Sequence, residues 1–268
     1  MALKLRSKMP SPIQFWNEKG EEFARIARDP GSFFARRAAL VAELVSNHIS
    51  PGRVLDIGCG AGQLCFDLAR RGFDVYGVDL SSVQIEMAIQ TARGRLSLPD
   101  KRFQVCTPQC LSFNGPFDVI TAIGVLPYVE DHSAFIKRAL SLLEPNGMFV
   151  ASCTNSLSLF TGLAVARHMR AFQPDRAWFS VLANLVRTGL WSGTCVDFRI
   201  ARQCGSAAAL DRLCERLGLV IVGELDLYNV TWSSFDRSPF ERGRIGRMLS
   251  RRLGWTHVGA YRKQFTGT

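Results

Sequence analysis

The feature that most constrains the fold is a short apolar segment followed at once by three alternate glycines, Val54 to Gln63, with the sequence VLDIGCGAGQ. Short apolar runs bounded by turn residues are typical of buried strands. Glycine permits positive φ and lets the backbone approach a ligand without a Cβ in the way. A helix that begins after such a loop presents free N–H groups. The segment therefore predicts a strand, a ligand-binding loop and a helix, with the Asp56 carboxylate placed to balance an ammonium group.

Short apolar runs alternate with amphipathic helices along most of the chain. This alternation implies right-handed strand-helix-strand crossovers, and so a parallel sheet with helices on both faces. The ligand is then expected at the carboxyl ends of the strands. Helices are predicted to begin at Ser32, Ser82, Ser133 and Ser206. Strands are predicted at Arg53–Ile57, Asp74–Leu80, Phe103–Thr107, Phe117–Ile123, Met148–Cys153, Leu219–Leu227 and His257–Gln264.

Composition excludes several classes of protein. The eight cysteines are scattered, without a CxxC pair or histidines at metal-ligand spacing, so neither a zinc site nor a disulfide framework is predicted. No run of eighteen apolar residues and no signal peptide appears, which predicts a cytoplasmic location. The net charge of +10 is compatible with a solvated basic face or with an anionic partner.

The spacing of the glycines separates this loop from two common alternatives. A dinucleotide fingerprint beginning at Gly58 requires a third glycine at Gln63, and one beginning at Gly60 requires it at Cys65. The loop also lacks the G-K-[ST] ending that grips triphosphates. Neither a nicotinamide site nor a triphosphate site is therefore favoured.

Four motifs in order resemble the class I S-adenosylmethionine-dependent methyltransferases. Asp56 to Gly62 matches the acid-x-G-x-G-x-G of the family's first motif, and Asp79 takes the place of the acid that holds the ribose hydroxyls. Phe117 to Gly124 is similar to the family's fourth strand, and Leu143 to Gly147 to its turn before strand five. The resemblance implies a doubly wound α/β fold with a seven-stranded, mostly parallel sheet and a last antiparallel strand. It also implies S-adenosylmethionine as cofactor and an in-line methyl transfer.

The resemblance also implies a set of cofactor-binding residues. One departure concerns the adenine, because the family often has an acid and a backbone N–H after strand three, where this chain has Thr107-Pro108-Gln109. Proline has no N–H to donate, so Thr107 or Gln109 is expected to take that role. No metal is expected. The predicted cofactor contacts are Asp56, Gly58, Cys59, Gly60, Gln63, Asp79, Leu80, Thr107, Gln109 and Ile123.

The chain is interpreted as one methyltransferase domain, residues 1–268, since it has no repeat or Pro/Ser-rich linker. Residues 1–50 are expected to form an N-terminal helical cap and 51–154 the cofactor-binding core. Residues 155–204 lack a convincing strand and are rich in aromatic residues, which favours a helical lid insertion. Residues 205–268 are expected to form a C-terminal helix and a strand hairpin.

The acceptor is less constrained than the cofactor. Tyr128, just past strand four, is the candidate catalytic residue, as an acceptor contact or a proton acceptor. Trp16 lies where related enzymes often fold a segment over the cofactor, and packing explains it equally well. His132 is expected to be solvated in the turn before a helix. The aromatic insertion favours a small, hydrophobic acceptor that is methylated on O, N or C.

Three other interpretations stay open. A nucleic-acid methyltransferase fits the basic charge, but the chain lacks the [DNS]-P-P-[YF] that amino-directed enzymes carry after strand four, so nucleic acid is not expected. Phe160–Phe172 carries basic residues among apolar ones, which allows peripheral contact with a membrane. A non-catalytic S-adenosylmethionine-binding partner protein would share every motif. The sequence does not set the oligomeric state.

Overall fold

The central sheet contains seven strands. In the computed structural model, which describes residues 11–106, 113–154, 206–227 and 256–263, they are β1 Arg53–Ile57, β2 Asp74–Asp79, β3 Phe103–Val105, β4 Phe117–Ala122, β5 Leu143–Thr154, β6 Leu219–Leu227 and β7 Thr256–Lys263. Their order is β3-β2-β1-β4-β5-β7-β6. Strands β1 to β5 pair in parallel, and β7 runs antiparallel to β5 and to β6. The predicted fold class is confirmed.

Six helices flank this sheet in the described residues: α1 Pro12–Arg28, α2 Phe33–His48, α3 Gln63–Ala69, α4 Ser82–Leu96, α5 His132–Leu140 and α6 Ala207–Arg216. One sheet face packs against α2, α3 and α4, and the other against α5 and α6. The helix ends follow from capping chemistry, since the hydroxyl of Ser32 accepts the Ala35 N–H at 3.1 Å and that of Ser206 the Ala209 N–H at 3.3 Å. The sheet is thus covered by apolar helix faces on both sides.

The chain order places a cleft at the centre of the sheet. After β1 the chain builds β2 and β3 on one side, and then returns to add β4 on the other. In the register, Asp56 of β1 stands beside Gly77 of β2 and Thr121 of β4. In open α/β sheets the ligand binds outside the carboxyl ends of the strands at such a switch point. A site is therefore expected in the crevice outside the carboxyl ends of β1 and β4, which is called the cleft below.

Several predicted boundaries were wrong by a few residues. Helix α5 is capped by Asp131, which accepts the Ala134 N–H at 2.9 Å, and not by Ser133. Strand β5 begins at Leu143, five residues early, because Leu143 already pairs with Phe117. Shorter differences affect β2, β3, β4 and β7. Some predictions concern residues outside the described ranges. These are Thr107, Gln109, Gln264 and the lid 155–204, which includes the segment considered for membrane contact.

Candidate cofactor and acceptor site

The glycine loop after β1 is shaped by its backbone. Gly58, Gly60 and Gly62 have φ of +75°, +55° and +87°, in the left-handed region that favours glycine. A Cβ on Gly58 would lie 2.3 Å from a methyl carbon of Val125, and one on Gly60 would lie 2.9 Å from Oε1 of Gln84. A residue with a side chain would therefore be strained at both positions, which fits a loop that presents its backbone to a ligand.

Asp79 lies at the carboxyl end of β2 and joins this strand to the glycine loop. Its Oδ2 accepts the Gly60 N–H at 2.9 Å, and its Oδ1 accepts the Ser81 N–H at 2.8 Å. Burial raises the pKa of Asp79, and these backbone hydrogen bonds oppose that rise. A carboxylate has about four acceptor positions, so Asp79 retains capacity for two further donors, such as a cis-diol.

Asp56 lies near the end of β1 and is almost completely buried, with 3% of its surface exposed. The Thr121 hydroxyl donates to its Oδ1 at 2.6 Å, and the Cys65 thiol lies 3.8 Å from its Oδ2. The pKa of Asp56 is raised to about 7, mainly by burial and to a smaller extent by the nearby Asp79, while the hydrogen bonds from Thr121 and Cys65 and the charge of Arg37 oppose the rise. A cation in the cleft would therefore favour ionisation of Asp56.

Arg37 of α2 is a candidate site residue that the sequence interpretation missed. Its guanidinium lies 5.4 Å from the Phe34 ring centroid, and a Cβ on Gly124 would come within 3.4 Å of it. A signal was present, since Arg37 is four residues from both Phe33 and Val41, which are buried. Helical spacing thus puts the arginine on the buried face of α2. It supplies a cation beside the turn after β4.

The turn after β4 carries Tyr128 in a short 3₁₀ helix, Leu126–Tyr128. Long-range contacts hold this turn, since the Ser152 hydroxyl accepts the Gly124 N–H at 2.8 Å. The Tyr128 ring packs edge-on against Trp16 of α1, with ring centroids 5.7 Å apart. Tyr128 thus connects the turn after β4 to the N-terminal helix.

His132 is not the solvated residue that was expected. Its Nε2–H donates to the Leu126 carbonyl oxygen at 2.7 Å, across six residues. Burial lowers the pKa of His132, more than the hydrogen bond to Leu126 and the nearby Asp131 raise it. His132 is therefore neutral near pH 7, with the proton on Nε2, and it braces the turn that carries Tyr128.

Helix α1 lies over the start of α4 next to the glycine loop. The Ser81 hydroxyl donates to the Trp16 carbonyl oxygen at 3.1 Å. A Cβ on Gly20 would lie 3.1 Å from Val83 and 3.3 Å from Gln84, so the two helices touch closely. The expected N-terminal cap over the cofactor side is therefore helical in this region.

The remaining predicted contacts stay predictions. The buried Cys59 sulfur lies 3.5 Å from the Gly60 carbonyl oxygen and close to Gly77, so only the backbone of Cys59 is available to a ligand. Gln63 lies within 3.4 Å of the Asp67 carboxylate along α3. Leu80 and Ile123, both partly buried, follow β2 and β4 at the edge of the cleft.

The described ranges lack two classes of feature. They hold no group of three or more His, Cys, Asp or Glu side chains that could bind a metal ion. They also hold no helix with the length and apolar character needed to cross a bilayer.

The sequence of this chain matches a known protein family and several curated proteins. A family model described as a methyltransferase domain matches residues 30–224. Among curated relatives, a ubiquinone biosynthesis O-methyltransferase from Bradyrhizobium diazoefficiens is 38% identical over 104 residues, covering 38% of this chain and 40% of the relative. One of the same name from Mesorhizobium japonicum is 34% identical over 158 residues, covering 58% and 57%. The chain spans about half the length of the curated relatives it matches.

Solved structures share the fold at low sequence identity. Magnesium protoporphyrin IX methyltransferase from Synechocystis, with bound S-adenosylhomocysteine, aligns with a TM-score of 0.60 and 19% identity, covering 94% of this chain and 98% of that chain. The [4+2]-cyclase SpnF also aligns with a TM-score of 0.60, at 18% identity, covering 95% and 97%. The fold therefore does not fix the reaction.

The family model matches most of the chain, and its range contains the glycine loop, Asp79 and the turn that carries Tyr128. The resemblance predicted from Asp56 to Gly62 is confirmed. This chain belongs to the family of class I S-adenosylmethionine-dependent methyltransferases.

Proposed function

We propose that this protein transfers a methyl group from S-adenosylmethionine to a hydroxyl oxygen of a small, hydrophobic acceptor. The observation that carries the proposal is the cradle formed by the glycine loop and Asp79. Side chains are excluded at Gly58 and Gly60, and the Asp79 carboxylate keeps acceptor positions for a ribose diol. These features fit a nucleoside cofactor without a pyrophosphate.

Two further residues fit the methionine portion of the cofactor. Asp56 would balance the α-ammonium group, and the Arg37 guanidinium beside Gly124 would pair with the α-carboxylate. When bound, the cofactor supplies an activated methyl group on a sulfonium. The protein's remaining task is to align the acceptor oxygen with that methyl and to exclude water.

The turn after β4 is the acceptor side of the site. Tyr128 is placed by the His132–Leu126 hydrogen bond and by the Trp16 ring, so its hydroxyl can accept a hydrogen bond from the reacting hydroxyl or take up its proton. Methyl transfer would form a C–O bond as the S–C bond of the sulfonium breaks, and the hydroxyl proton would pass to water or to an ionised Tyr128. Oxygen is favoured over N or C because the curated relatives carry the name O-methyltransferase. The aromatic residues around Tyr128 favour an apolar acceptor.

Two measurements test this function in sequence. Calorimetric titration with S-adenosylhomocysteine tests the cofactor site, and we expect binding that Asp79→Ala removes. Methyl-labelled S-adenosylmethionine with phenols of increasing alkyl-chain length then tests the acceptor, with mass spectrometry for labelled ethers. Methylation that grows with chain length supports the proposal. Binding of the cofactor without transfer to any phenol or metabolite extract would instead support a non-catalytic binder.

A further inference from the structure

One polar atom of α1 is buried against the site without a hydrogen bond. Oδ1 of Asn17 has almost no accessible surface, and no donor among the described residues reaches it. The great majority of buried amide oxygens in proteins accept a hydrogen bond, because an unsatisfied acceptor loses its bonds to water without replacement. Its hydrogen-bond donor is therefore expected to come from outside the described part of the chain.

The position of Asn17 indicates where that donor belongs. Asn17 is three residues before Gly20, so both lie on the same side of α1. Gly20 packs against Val83 and Gln84 at the start of α4, and the Gln84 amide lies against Gly60 of the glycine loop. The preceding carbonyl, that of Trp16, is bonded to Ser81. Asn17 thus belongs to the side of α1 that covers the cofactor loop.

We propose that Oδ1 of Asn17 accepts a hydrogen bond from the bound cofactor, from its α-ammonium group or from a ribose hydroxyl. This inference rests on the proposed function, because it assigns a contact to the same cofactor. It makes α1 part of the cofactor site and not only a packing element. The bound ligand then satisfies an acceptor that has no hydrogen-bond partner in the described part of the chain.

The test uses a substitution that is expected to weaken cofactor binding without lowering the stability of the free protein. Asn17→Leu keeps the branched shape of the side chain, at a larger volume, and removes the acceptor. We expect S-adenosylhomocysteine to bind about tenfold more weakly by calorimetry. The unfolding temperature of the free protein is expected to stay the same or to rise, because an unsatisfied buried oxygen has been removed. Asn17→Ala gives a second variant if leucine does not fit.

Two controls make the result specific. Glu18→Leu makes a comparable change at the next, exposed position, and we expect the affinity to remain at the wild-type value. Asn17→Asp keeps an acceptor oxygen in place, and affinity within about threefold of wild type is expected. An affinity loss for 5′-methylthioadenosine as well assigns the donor to the ribose. A loss confined to S-adenosylhomocysteine assigns it to the ammonium.

Several outcomes would overturn the inference. Unchanged affinity in Asn17→Leu and Asn17→Ala would show that the cofactor does not use this oxygen. Lower stability of both free variants would show that Asn17 has a structural partner. Wild-type protein that does not bind S-adenosylhomocysteine at all would instead remove the proposed function, so the two failures are distinguishable.

Discussion

The two sides of the cleft, the proposed cofactor side and the proposed acceptor side, are built in different ways. On the cofactor side, the loop after β1 and the end of β2 depend on backbone conformation, with three glycines at positive φ and one carboxylate that binds two neighbouring N–H groups. On the acceptor side, the turn after β4 is held by residues distant in sequence, such as Ser152 and Trp16. The first kind of site depends on residue type at fixed spacing. The second depends on tertiary contacts.

The comparison predicts that single changes have their largest effects on the cofactor side. Asp79→Ala should weaken binding of S-adenosylhomocysteine at least about 100-fold, or about 2.7 kcal/mol, because two hydrogen bonds to a charged acceptor are lost together. Calorimetry gives the affinity, and thermal unfolding of the free protein checks the fold. Asp100→Ala is the control, since Asp100 forms an exposed ion pair with Arg93. Equal affinity in Asp79→Ala and wild type would refute the ribose role.

Gly58 is where the two sides touch, because a Cβ there would meet Val125 of the acceptor turn. Gly58→Ala should lower the free energy of unfolding by about 2 kcal/mol, through unfavourable φ and the close contact. Denaturant unfolding measures this loss. Gly94→Ala is the matched control, since Gly94 lies within α4 with open space around it. That change should stabilise the protein by up to about 1 kcal/mol. Similar effects of the two alanines would contradict a tight loop.

The same contrast explains how much the sequence could predict. The strand at Arg53–Ile57, the positive-φ loop and Asp79 followed from residue type and spacing. The mostly parallel sheet with helices on both faces followed from the alternation of apolar runs and helices, and its last antiparallel strand from the family resemblance. These features are local or are imposed by the handedness of the crossovers, so a single chain carries enough information to predict them.

What was missed depends on which partner a side chain takes in the folded structure, whether that partner is near in sequence or distant. His132 was expected in solvent because nothing near it in sequence marks Leu126 as its partner, and Ser133 was chosen as a cap although Asp131 takes that role. Arg37 was missed because its neighbour Gly124 is 87 residues later in the chain. The burial of Oδ1 in Asn17 likewise depends on how α1 packs on α4. Such pairs become visible only when the helices are placed on the sheet.

Asp56 connects the two sides through charge, which gives a dependence on pH. Its pKa of about 7 in the free protein means that the carboxyl is largely protonated at pH 6. Pairing with the cofactor's ammonium requires the ionised form, so the affinity for S-adenosylhomocysteine should rise up to about tenfold between pH 6 and pH 7.5. Calorimetry across that range measures the rise. Asp56→Asn should flatten it, and an unchanged slope would separate Asp56 from the cofactor.

Stability should change with pH in the opposite direction. The ordinary pKa of this carboxyl is 3.8 and the folded value is about 7, so the folded state holds the proton more tightly than the unfolded chain. The contribution of Asp56 to stability is therefore fully present below pH 3.8 and is lost as the pH rises through about 7. Asp56→Asn should make the free protein more stable than wild type at pH 8, by thermal unfolding. A less stable variant at pH 8 would show that the hydrogen bond from Thr121 outweighs the burial of the charge.

The smallest effect is expected on the acceptor side, at His132. His132→Ala removes the N–H donor to the Leu126 carbonyl, a neutral hydrogen bond that contributes about 1 kcal/mol. The turn loosens but the cofactor cradle is not touched. We therefore expect kcat for the best phenol acceptor to fall about threefold to fivefold, while the affinity for S-adenosylhomocysteine stays at the wild-type value.

Conservative replacements sharpen this test. The Nε2 of glutamine takes nearly the same position as Nε2 of histidine, whereas the asparagine amide nitrogen corresponds to Nδ1. His132→Gln should therefore restore kcat toward wild type and His132→Asn should not, although both are polar and both suit the first turn of α5. Equal behaviour of the two amides would mean that the Leu126 carbonyl does not need this donor. Loss of cofactor affinity in His132→Ala would mean that the turn after β4 also supports the cofactor side of the cleft.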